Sequence, residues 1–319
     1  MSLPRIFVDG DAGTTGLRIR EWLAGRTDLE RIALPESLRK DPTARRASLN
    51  QADLVVLCLP DDAAREAVAW IERPEVRVLD ASTAHRVAPG WVYGLPELGP
   101  GQREAIAASR RVANPGCYPI GPILFLRPLV EAGLLDAAAP LVVNGLSGYS
   151  GGGKSLIERW EDPARALLGL PHDAPYALER VHKHVPEITA YAGLARAPQF
   201  LPAVGPFRCG MRVSLPLHES LLASGASAKR VWEVLAERYR GEPFVRVAPL
   251  ADPPANDEHS FDPRALNDTN SIELAVLPNP AGHLLLVARL DNLGKGAAGS
   301  AIQNLNLMLG LGEETGLRA

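Results

Sequence analysis

The chain has few cysteines and few aromatic residues, and it carries almost no net charge. Its 319 residues include three cysteines, 5% aromatic residues and a formal net charge of −3 at pH 7. Isolated cysteines in odd number argue against a disulfide framework and a zinc site, and they fit a reducing cytoplasm. The nearly neutral charge gives no basic surface for nucleic acid. We therefore expect no nucleic-acid partner and no bound metal.

Long apolar runs, internal repeats and low-complexity tracts are also missing from the sequence. No apolar run approaches the ~20 residues that a membrane helix needs. The first apolar strand begins within a few residues of the N-terminus, which leaves no room for a signal peptide. The content of 46% apolar and 22% charged residues is typical of a globular protein. We expect two domains, a cytoplasmic location and no membrane contact.

One cysteine lies in a turn that organises the chain, Asn114-Pro115-Gly116-Cys117-Tyr118-Pro119. Pro115 fixes its own φ, and Gly116 can adopt conformations that are closed to other residues. Residues 121–130 are small or apolar and predict a helix that begins just after the turn. A thiol at the positive end of a helix dipole is favoured as the nucleophilic thiolate. Cys117 is therefore a candidate nucleophile, although a small buried side chain beside a turn would fit this stretch equally well.

A glycine-rich turn near the N-terminus has the context of a dinucleotide site. Residues 5–9 predict a strand and residues 17–24 a helix, and the glycines between them are spaced G-x-x-G-x-x-G. Such glycines let the backbone approach a pyrophosphate, whose charge the amides at the helix start then bind. A plain tight turn is the alternative. The candidate cofactor residues are Gly10, Gly13, Thr14, Thr15 and Gly16.

The end of the second predicted strand, residues 31–34, indicates the type of dinucleotide. An NAD site usually has an acidic residue here, and Glu36 is close. However, Ser37, Arg39 and Lys40 follow it, and a hydroxyl with two cations suits a 2′-phosphate. We expect NADP(H), with a solvated basic turn as the alternative.

Further strands alternate with helices up to the cysteine turn, so residues 1–116 are predicted to form a doubly wound parallel sheet. Ligands of such sheets lie beyond the carboxyl ends of the strands. The loops there hold Pro60, Ser82 and Arg86, and we expect them to meet the glycine turn and Cys117 in one crevice. The predicted strands are 53–59, 76–80 and 111–113.

After a predicted strand at 140–146 comes a second glycine-rich loop, Ser147-Gly148-Tyr149-Ser150-Gly151-Gly152-Gly153-Lys154. Read literally, residues 148–155 match the nucleotide-binding string G-x-x-x-x-G-K-S, but short strings match by chance. We expect instead a loop that shapes a pocket for an anion or a carboxylate, with Lys154 as its charge.

Two histidines follow in His182-Lys183-His184-Val185-Pro186-Glu187. On a strand or loop, residues two apart point in opposite directions, which argues against a metal pair. A turn-held cysteine and a histidine together supply an activated thiol nucleophile. Ordinary surface histidines are the alternative.

The rest of the chain predicts an α+β domain with four antiparallel strands and one helix, at 211–217, 244–247, 271–278, 283–290 and 228–239. Residues 291–299 then open a final helix with an apolar stripe that we expect to pack on the first domain. Lys295 at its start is a candidate cofactor contact. The predicted division is a Rossmann-type NADP-binding domain of residues 1–116 and 292–319 and a catalytic α+β domain of residues 117–291.

Five motifs in this order resemble the N-acetyl-γ-glutamyl-phosphate reductase family of arginine biosynthesis, in the shorter of its two sequence types. The resemblance covers residues 6–309. The motifs are Tyr93-Gly94-Leu95-Pro96-Glu97, the cysteine turn from Val112, the loop Ser147 to Lys154, the segment His182 to Glu187, and Asp291-Asn292-Leu293-Gly294-Lys295-Gly296-Ala297. One departure is Ile120, where the family usually has threonine, and it removes a hydroxyl near the thiol.

The resemblance implies a semialdehyde-dehydrogenase-like fold, a homodimer or homotetramer, and NADPH-dependent reduction of N-acetyl-γ-glutamyl phosphate to N-acetyl-L-glutamate 5-semialdehyde and phosphate. It implies that Cys117 forms a thioester and that His182, with His184 second, handles the proton. We expect cofactor contacts also at Pro60, Ser82 and Lys295, and substrate contacts at Arg86, Asn114, Ser147, Gly148 and Lys154.

Three other functions fit parts of the sequence. One is a neighbour with the same architecture, an aspartate-semialdehyde dehydrogenase or a lysine-pathway acyl-phosphate reductase. Another is a Rossmann reductase without a covalent step, and the third is an NADP-binding sensor without turnover. The cysteine turn together with the histidine pair favours covalent chemistry over the last two.

Overall fold

The structure is a computed structural model that describes residues 2–179, 181–250, 257 and 259–319. The chain forms two compact units. The first unit contains residues 1–116 and 297–318, and the second contains residues 117–296 with residue 319. None of the helices in the described part of the chain is long and apolar enough to cross a bilayer.

A six-stranded sheet, in which every pairing is parallel, forms the centre of the first unit. Its strands are β1 (Arg5–Asp9), β2 (Glu30–Ile32), β3 (Leu54–Leu57), β4 (Arg77–Asp80), β5 (Val92–Tyr93) and β6 (Arg111–Ala113), in the order β2-β1-β3-β4-β6-β5. The helices of this unit are α1 (Thr14–Leu23), α2 (Pro42–Gln51), α3 (Asp61–Ala69), α4 (Gln102–Ala108) and α9 (Gly299–Met308).

Helices cover both faces of this sheet because the strands are apolar on both sides. Along β3, Val55 and Leu57 pack in a cluster with residues of α2 and α3. Leu54 and Val56 point the other way, into a cluster with residues of α1, α4 and α9. Strands buried on both faces read as continuous apolar runs, as residues 53–59 do. The predicted doubly wound fold is confirmed.

The final helix returns to the first unit. Ala301, Ile302 and Leu305 of α9 lie in the same cluster as Leu54 of the sheet, so the predicted packing of this apolar stripe is confirmed. A π-helical turn, Gly294–Ala298, leads into α9. Such turns are rare and concentrate at functional sites.

The second unit is built on a seven-stranded mixed sheet. Its strands are β7 (Val142–Gly148), β8 (Ala174–Pro175), β9 (Gln199–Gly205), β10 (Met211–Leu217), β11 (Val245–Val247), β12 (Ile272–Pro278) and β13 (Leu284–Leu290), in the order β11-β12-β13-β10-β7-β9-β8. The helices are α5 (Cys117–Glu131), α6 (Gly153–Glu161), α7 (Val185–Tyr191) and α8 (Ala228–Arg238). Every strand predicted from the sequence lies within two residues of an observed strand at each end.

The prediction of four antiparallel strands is wrong for one of them. Strand β13 is antiparallel to both of its neighbours, β10 and β12, but β11 runs parallel to β12 at the edge of the sheet. Parallel neighbours need a long crossover rather than a hairpin turn. Strand β11 ends at Val247 and β12 begins at Ile272. This separation along the chain is too long for a hairpin turn, and it is the sequence signal that indicates a parallel pair.

The helix at the cysteine turn also begins earlier than predicted. It starts at Cys117 itself and not at Gly121. A proline in the first turn of a helix lacks only an N–H that has no intrahelical acceptor anyway. Pro119 is therefore compatible with the first turn, and Cys117 lies within the helix dipole instead of just outside it.

Helix α5 lies unusually close to the sheet. A Cβ atom on Gly121 would be 2.7 Å from Cβ of Ala288 on β13. A Cβ on Gly145 of β7 would be 2.4 Å from the ring of Tyr118. Real Cβ atoms do not approach so closely, so these two glycines fix how deeply the start of α5 sits on the sheet.

We predict that Gly121→Ala lowers the free energy of unfolding. Alanine would gain about 1 kcal/mol from helix propensity, but overpacking at a 2.7 Å contact costs about 1–3 kcal/mol. We expect net destabilisation of about 1 kcal/mol, measured by urea denaturation. The control is Gly169→Ala, because a Cβ there meets nothing within 4 Å. A Gly121→Ala variant that is more stable than the wild type would contradict the close contact between α5 and β13 at this position.

Candidate active site

The glycine turn after β1 contains three glycines with different structural requirements. Gly10 has φ +87°, and a Cβ there would lie 2.3 Å from the carbonyl oxygen of Cys58. A Cβ on Gly16 would lie 2.4 Å from the carbonyl oxygen of Gly10. On Gly13 a Cβ would meet only that oxygen, at 3.5 Å. Packing thus requires Gly10 and Gly16, whereas Gly13 leaves an open backbone surface such as a bound pyrophosphate needs.

The start of α1 adds anion-binding groups beside Gly13. Gly13 is the N-cap, and it provides no side-chain hydrogen bond to the first turn, which begins with Thr14 and Thr15. The first amides of a helix point toward its N-terminus, where the dipole favours negative charge. The turn and the helix start together fit the pyrophosphate of a dinucleotide.

Basic residues surround the one carboxylate in this turn. Asp11 lies 3.2 Å from an Nη atom of Arg20 and 3.6 Å from Nε of Arg39. The two guanidinium groups offset the negative charge that would otherwise repel a pyrophosphate. Ser37 and Lys40, in the turn beside Arg39, are exposed. The residues predicted for a 2′-phosphate therefore lie next to the glycine turn.

A buried carboxylate shapes the loop after β4. Asp80 accepts hydrogen bonds from the backbone N–H of Ser82 at 2.9 Å and from its hydroxyl at 2.7 Å. The same carboxylate lies 2.6 Å from Nδ1 of His85, whose ring stacks on Trp91 at 4.1 Å. All three polar residues are buried. The loop is thus held by its own side chains.

The predicted residues at the carboxyl ends of β3, β4 and β6 are linked to one another. Arg86 is buried and donates from Nε to the carbonyl oxygen of Asn114 at 3.1 Å. The N–H of Asn114 donates to the carbonyl oxygen of Asp80 at 2.7 Å. Pro60 is the N-cap of α3, and Asp61 after it accepts the N–H of Thr83 at 2.9 Å. Within the first unit, these bonds link the loops that hold Pro60, Ser82, Arg86 and Asn114.

In the second unit, Cys117 is half-buried at the first position of α5. A Cβ on Gly296 would lie 2.8 Å from Cβ of Cys117, so Gly296 forms a wall beside the thiol. The N–H of Gly296 donates to the carbonyl oxygen of Asp291 at 2.9 Å. The carboxylate of Asp291, in turn, accepts the N–H of Leu293 at 2.9 Å. Hydrogen bonds within segment 291–296 therefore hold its backbone in place beside the cysteine.

The other two thiols have different surroundings. Burial, with the negative charge of Asp80 next in importance, raises the pKa of the Cys58 thiol well above its ordinary value. Cys209 lies 3.5 Å from the hydroxyl of Ser150. The helix dipole favours a thiolate at a helix start, and Cys117 is the thiol of the three that occupies the first position of a helix.

The two predicted histidines lie together beside the residue that follows the thiol. The ring centroids of His182 and His184 are 4.7 Å apart, and they lie 6.2 Å and 5.9 Å from that of Tyr118. The ring of Phe200 flanks His182 at 5.0 Å. The structure thus places the imidazole pair against the aromatic ring of the residue that follows the candidate nucleophile.

The two imidazoles have different partners. His184 is buried, and its Nε2 lies 4.0 Å from Oε1 of Glu187, which is also buried. His182 is half-exposed, and its Nδ1 accepts the backbone N–H of His184 at 3.3 Å. In the described part of the chain, no group of three or more His, Cys, Asp or Glu side chains is placed to hold a metal.

The remaining predicted residues of this unit have varied surroundings. Ser147 is buried, and its hydroxyl donates to the carbonyl oxygen of Gly148 at 3.0 Å. Lys154 is exposed and lies 3.7 Å from Glu158 of the same helix. Lys295 is fully buried, with Nζ 5.7 Å from the ring centroid of Phe244. A cofactor contact of the Lys295 ammonium stays a prediction that this placement does not favour.

Sequence reasoning missed Tyr176, whose hydroxyl lies 3.5 Å from Nε2 of His182. Burial, followed by smaller effects that include the charge of Cys117, raises the pKa of Tyr176 to about 12. Its position six residues before His182 is only a weak sequence signal for this contact, because the sequence of a loop does not show which of its residues lie close together in space.

Two family models match most of the chain. "Semialdehyde dehydrogenase, NAD binding domain" matches residues 10–108, and "Semialdehyde dehydrogenase, dimerisation domain" matches residues 117–292. The fold agrees with this class. An aspartate semialdehyde dehydrogenase II from Vibrio cholerae, in complex with ASA, superposes with a TM-score of 0.74 at 16% identity over 97% of this chain and 99% of the other. An aspartate semialdehyde dehydrogenase with NADP from Candida albicans gives a TM-score of 0.65 at 14% identity over 97% and 99%.

Curated relatives are far more similar in sequence. N-acetyl-gamma-glutamyl-phosphate reductase 2 from Pseudomonas putida is 53% identical over 97% of this chain and 98% of the relative. The protein of the same name from a Nostoc species is 49% identical over 99% and 100%. N-acetyl-gamma-glutamyl-phosphate reductase from Burkholderia cenocepacia is 50% identical over 97% and 98%. The chain therefore belongs to the N-acetyl-gamma-glutamyl-phosphate reductase family of semialdehyde dehydrogenases, and the resemblance carried by the five motifs is confirmed.

We predict that the glycines of the turn after β1 separate cofactor binding from stability. Gly13→Ala should leave the melting temperature unchanged and weaken NADPH about tenfold or more, because a lost charge-assisted backbone contact costs about 1.5–3 kcal/mol. Gly16→Ala should destabilise the fold by about 1–3 kcal/mol through its collision with Gly10. Fluorescence titration with NADPH and thermal unfolding measure the two effects. Normal NADPH affinity in Gly13→Ala would contradict this division of roles.

Proposed function

We propose that the chain reduces N-acetyl-γ-glutamyl phosphate with NADPH to N-acetyl-L-glutamate 5-semialdehyde and phosphate, in arginine biosynthesis. The observation that carries this proposal is the half-buried thiol of Cys117 at the first position of α5, with an imidazole pair beside the next residue. The names of relatives about 50% identical over nearly the whole chain support the choice of substrate.

The thiol supplies the covalent step. The helix dipole favours the thiolate, which attacks the acyl carbon and breaks the bond from that carbon to the phosphate oxygen. Inorganic phosphate leaves with the bonding electrons, and a thioester on Cys117 remains. A thioester accepts a hydride more readily than a free carboxylate does, so the thiol prepares the substrate for reduction. After reduction, the thiohemiacetal collapses to release the aldehyde and regenerate the thiolate.

The first unit fits NADP(H), with its pyrophosphate at Gly10, Gly13 and the start of α1 and its 2′-phosphate near Ser37, Arg39 and Lys40. When bound, NADPH supplies the hydride that converts the acyl group to the aldehyde level. Gly13 is the residue that supports this placement. Other protein atoms pack against the Cα atoms of Gly10 and Gly16, whereas the space beside Gly13 is free for a pyrophosphate. The guanidinium of Arg39, already held beside the turn by Asp11, is the natural partner of the 2′-phosphate.

The histidine pair handles the proton of the thiohemiacetal. We place His184 before His182, which reverses the order expected from the resemblance. Glu187 faces Nε2 of His184, which favours the tautomer with its proton on Nε2 and its lone pair on Nδ1. Nδ1 of His182, in contrast, already accepts a backbone N–H. General acid–base help of this kind is worth about 10²–10⁴-fold in rate.

Arg86, Asn114, Ser147, Gly148 and Lys154 are proposed substrate contacts. Arg86 is buried and held by backbone carbonyl oxygens, which suits a fixed anion site. Lys154 is exposed and has Glu158 as its neighbour, so its contribution would be weaker.

The decisive experiment is phosphate-dependent reduction of NADP with N-acetylglutamate semialdehyde. We expect turnover by the wild type, and a loss of about 10⁴-fold or more in Cys117→Ala, because removal of a covalent nucleophile costs this much or more. Cys209→Ala is the matched control, since Cys209 is also half-buried but lies at no helix start.

Three outcomes would favour other functions. Preference for aspartate semialdehyde would indicate the neighbouring enzyme class. Substantial activity in Cys117→Ser would indicate reduction without a thioester. Binding of NADPH without turnover of either aldehyde would indicate a sensor.

We also propose a homodimer that forms through one face of the second unit's sheet. Helices α5 and α8 pack on the face that carries Val213 and Leu286. The opposite face displays Leu201 on β9 and Leu285 on β13, which are 37% and 38% exposed. A second copy would bury these exposed leucines. The dimerisation domain matched over residues 117–292 supports a dimer through the second unit. A homotetramer and a cytoplasmic location stay predictions.

We predict that Leu285→Glu shifts the protein from dimer to monomer, because a carboxylate buried in the interface must be desolvated. Light scattering after size-exclusion chromatography gives the mass directly. Leu3→Glu, at an exposed leucine of the first unit, is the control that should leave the mass unchanged. An unaltered dimer in Leu285→Glu would place the interface elsewhere.

A further inference from the structure

Tyr176 lies at the edge of the second unit's sheet, directly after β8. Its N–H donates to the carbonyl oxygen of Pro202 at 3.1 Å, which fixes its backbone beside β9. The hydroxyl lies 3.5 Å from Nε2 of His182, and the two rings meet edge to face with centroids 5.7 Å apart. The phenol thus has a defined position against the imidazole pair.

The backbone conformation after Tyr176 indicates that the position of this residue is constrained by its surroundings. Ala177 has φ +52°, in the left-handed region that residues with a Cβ rarely adopt. Such strain persists only where the surrounding structure requires it, and it concentrates at functional sites. The strained residue turns the chain immediately after the tyrosine, between the short strand β8 and the segment that returns to His182.

The Tyr176 phenol is expected to act as a neutral hydrogen-bonding group. Tyr176 is 36% exposed. Partial burial is still the largest cause that raises the pKa of its hydroxyl, to about 12; a hydrogen bond with Tyr118 lowers it, and the charge of Cys117 raises it further. At neutral pH the hydroxyl therefore keeps its proton.

The hydrogen bonds of His182 define its tautomer. Its Nδ1 accepts the backbone N–H of His184 at 3.3 Å, so in the neutral ring the proton is on Nε2. Nε2 is the atom that faces the hydroxyl of Tyr176. A line of contacts therefore runs from the phenol through His182 to the backbone of His184, which is the N-cap of α7.

We infer that Tyr176 is a positioning residue of the thiol–imidazole centre: its hydroxyl holds Nε2 of His182 in the tautomer whose Nδ1 fixes the backbone of His184. The inference rests on the proposed function, because it assigns Tyr176 a part in proton handling by the histidine pair. Tyr176 acts through His182 and does not exchange a proton with the substrate.

The test compares Tyr176→Phe, His182→Ala and the double variant in the full-length chain. In Tyr176→Phe we expect kcat to fall about three- to tenfold, the rate equivalent of one net hydrogen bond, with KM and melting temperature unchanged. In the His182→Ala background, the same substitution should have almost no further effect, because two residues that act through one contact are not additive.

Nitrogen NMR of ¹⁵N-labelled histidines gives a readout that needs no turnover, since the chain has only seven histidines. We expect His182 to show a proton on Nε2 in the wild type and a mixture of tautomers in Tyr176→Phe. The control is Tyr239→Phe, which removes another hydroxyl of the same unit, bonded to the carbonyl oxygen of Leu124. It should lower the melting temperature and leave the His182 tautomer unchanged.

Two results would overturn the inference. One is an unchanged His182 tautomer in Tyr176→Phe, and the other is a full additive loss of kcat in the double variant. If the wild type fails to turn over N-acetylglutamate semialdehyde, the proposed function fails, while the NMR comparison still decides the role of Tyr176.

Discussion

The backbone of Gly296 packs directly against Cβ of Cys117, the candidate nucleophile. A methyl group on Gly296 would lie 2.8 Å from that atom, a distance that real side chains do not reach. The thiol therefore keeps its place only if residue 296 has no side chain and segment 291–296 keeps its shape. The carboxylate and carbonyl of Asp291 supply that shape through bonds to Leu293 and Gly296. The position of one sulfur atom thus depends on two segments far apart in the sequence.

Much of this arrangement could be predicted from the sequence because it follows local rules. The strand, glycine turn and helix at residues 5–24 depend on contacts between near neighbours, so spacing alone indicates them. The apolar run 53–59 shows a strand buried on both faces. The cysteine turn and the histidine pair are recognisable because their residue types are chemically specific. The resemblance of five ordered motifs added the substrate, which local rules do not provide.

The predictions failed or fell short where tertiary contacts override local patterns. Pro119 and Gly121 suggested a late helix start, yet α5 begins at Cys117, since the sheet seats the helix through Gly121 and Gly145. The direction of β11 depends on its crossover and not on its own three residues. The full burial of Lys295 beside Phe244 is not indicated by its residue type, because lysine is rarely buried. Tyr176 has no motif, because its importance comes only from the return of the chain to His182.

The buried carboxylate of Asp80 has a consequence for how the first unit receives its ligand. Its two oxygens are satisfied by Ser82 and His85, two and five residues downstream, and Trp91 stacks over the imidazole. The loop therefore has its shape before any ligand arrives, and little conformational entropy is lost when a ligand binds to it. The affinity of a ligand for this loop is then set by the contacts it makes, and no part of that free energy is spent on ordering the loop.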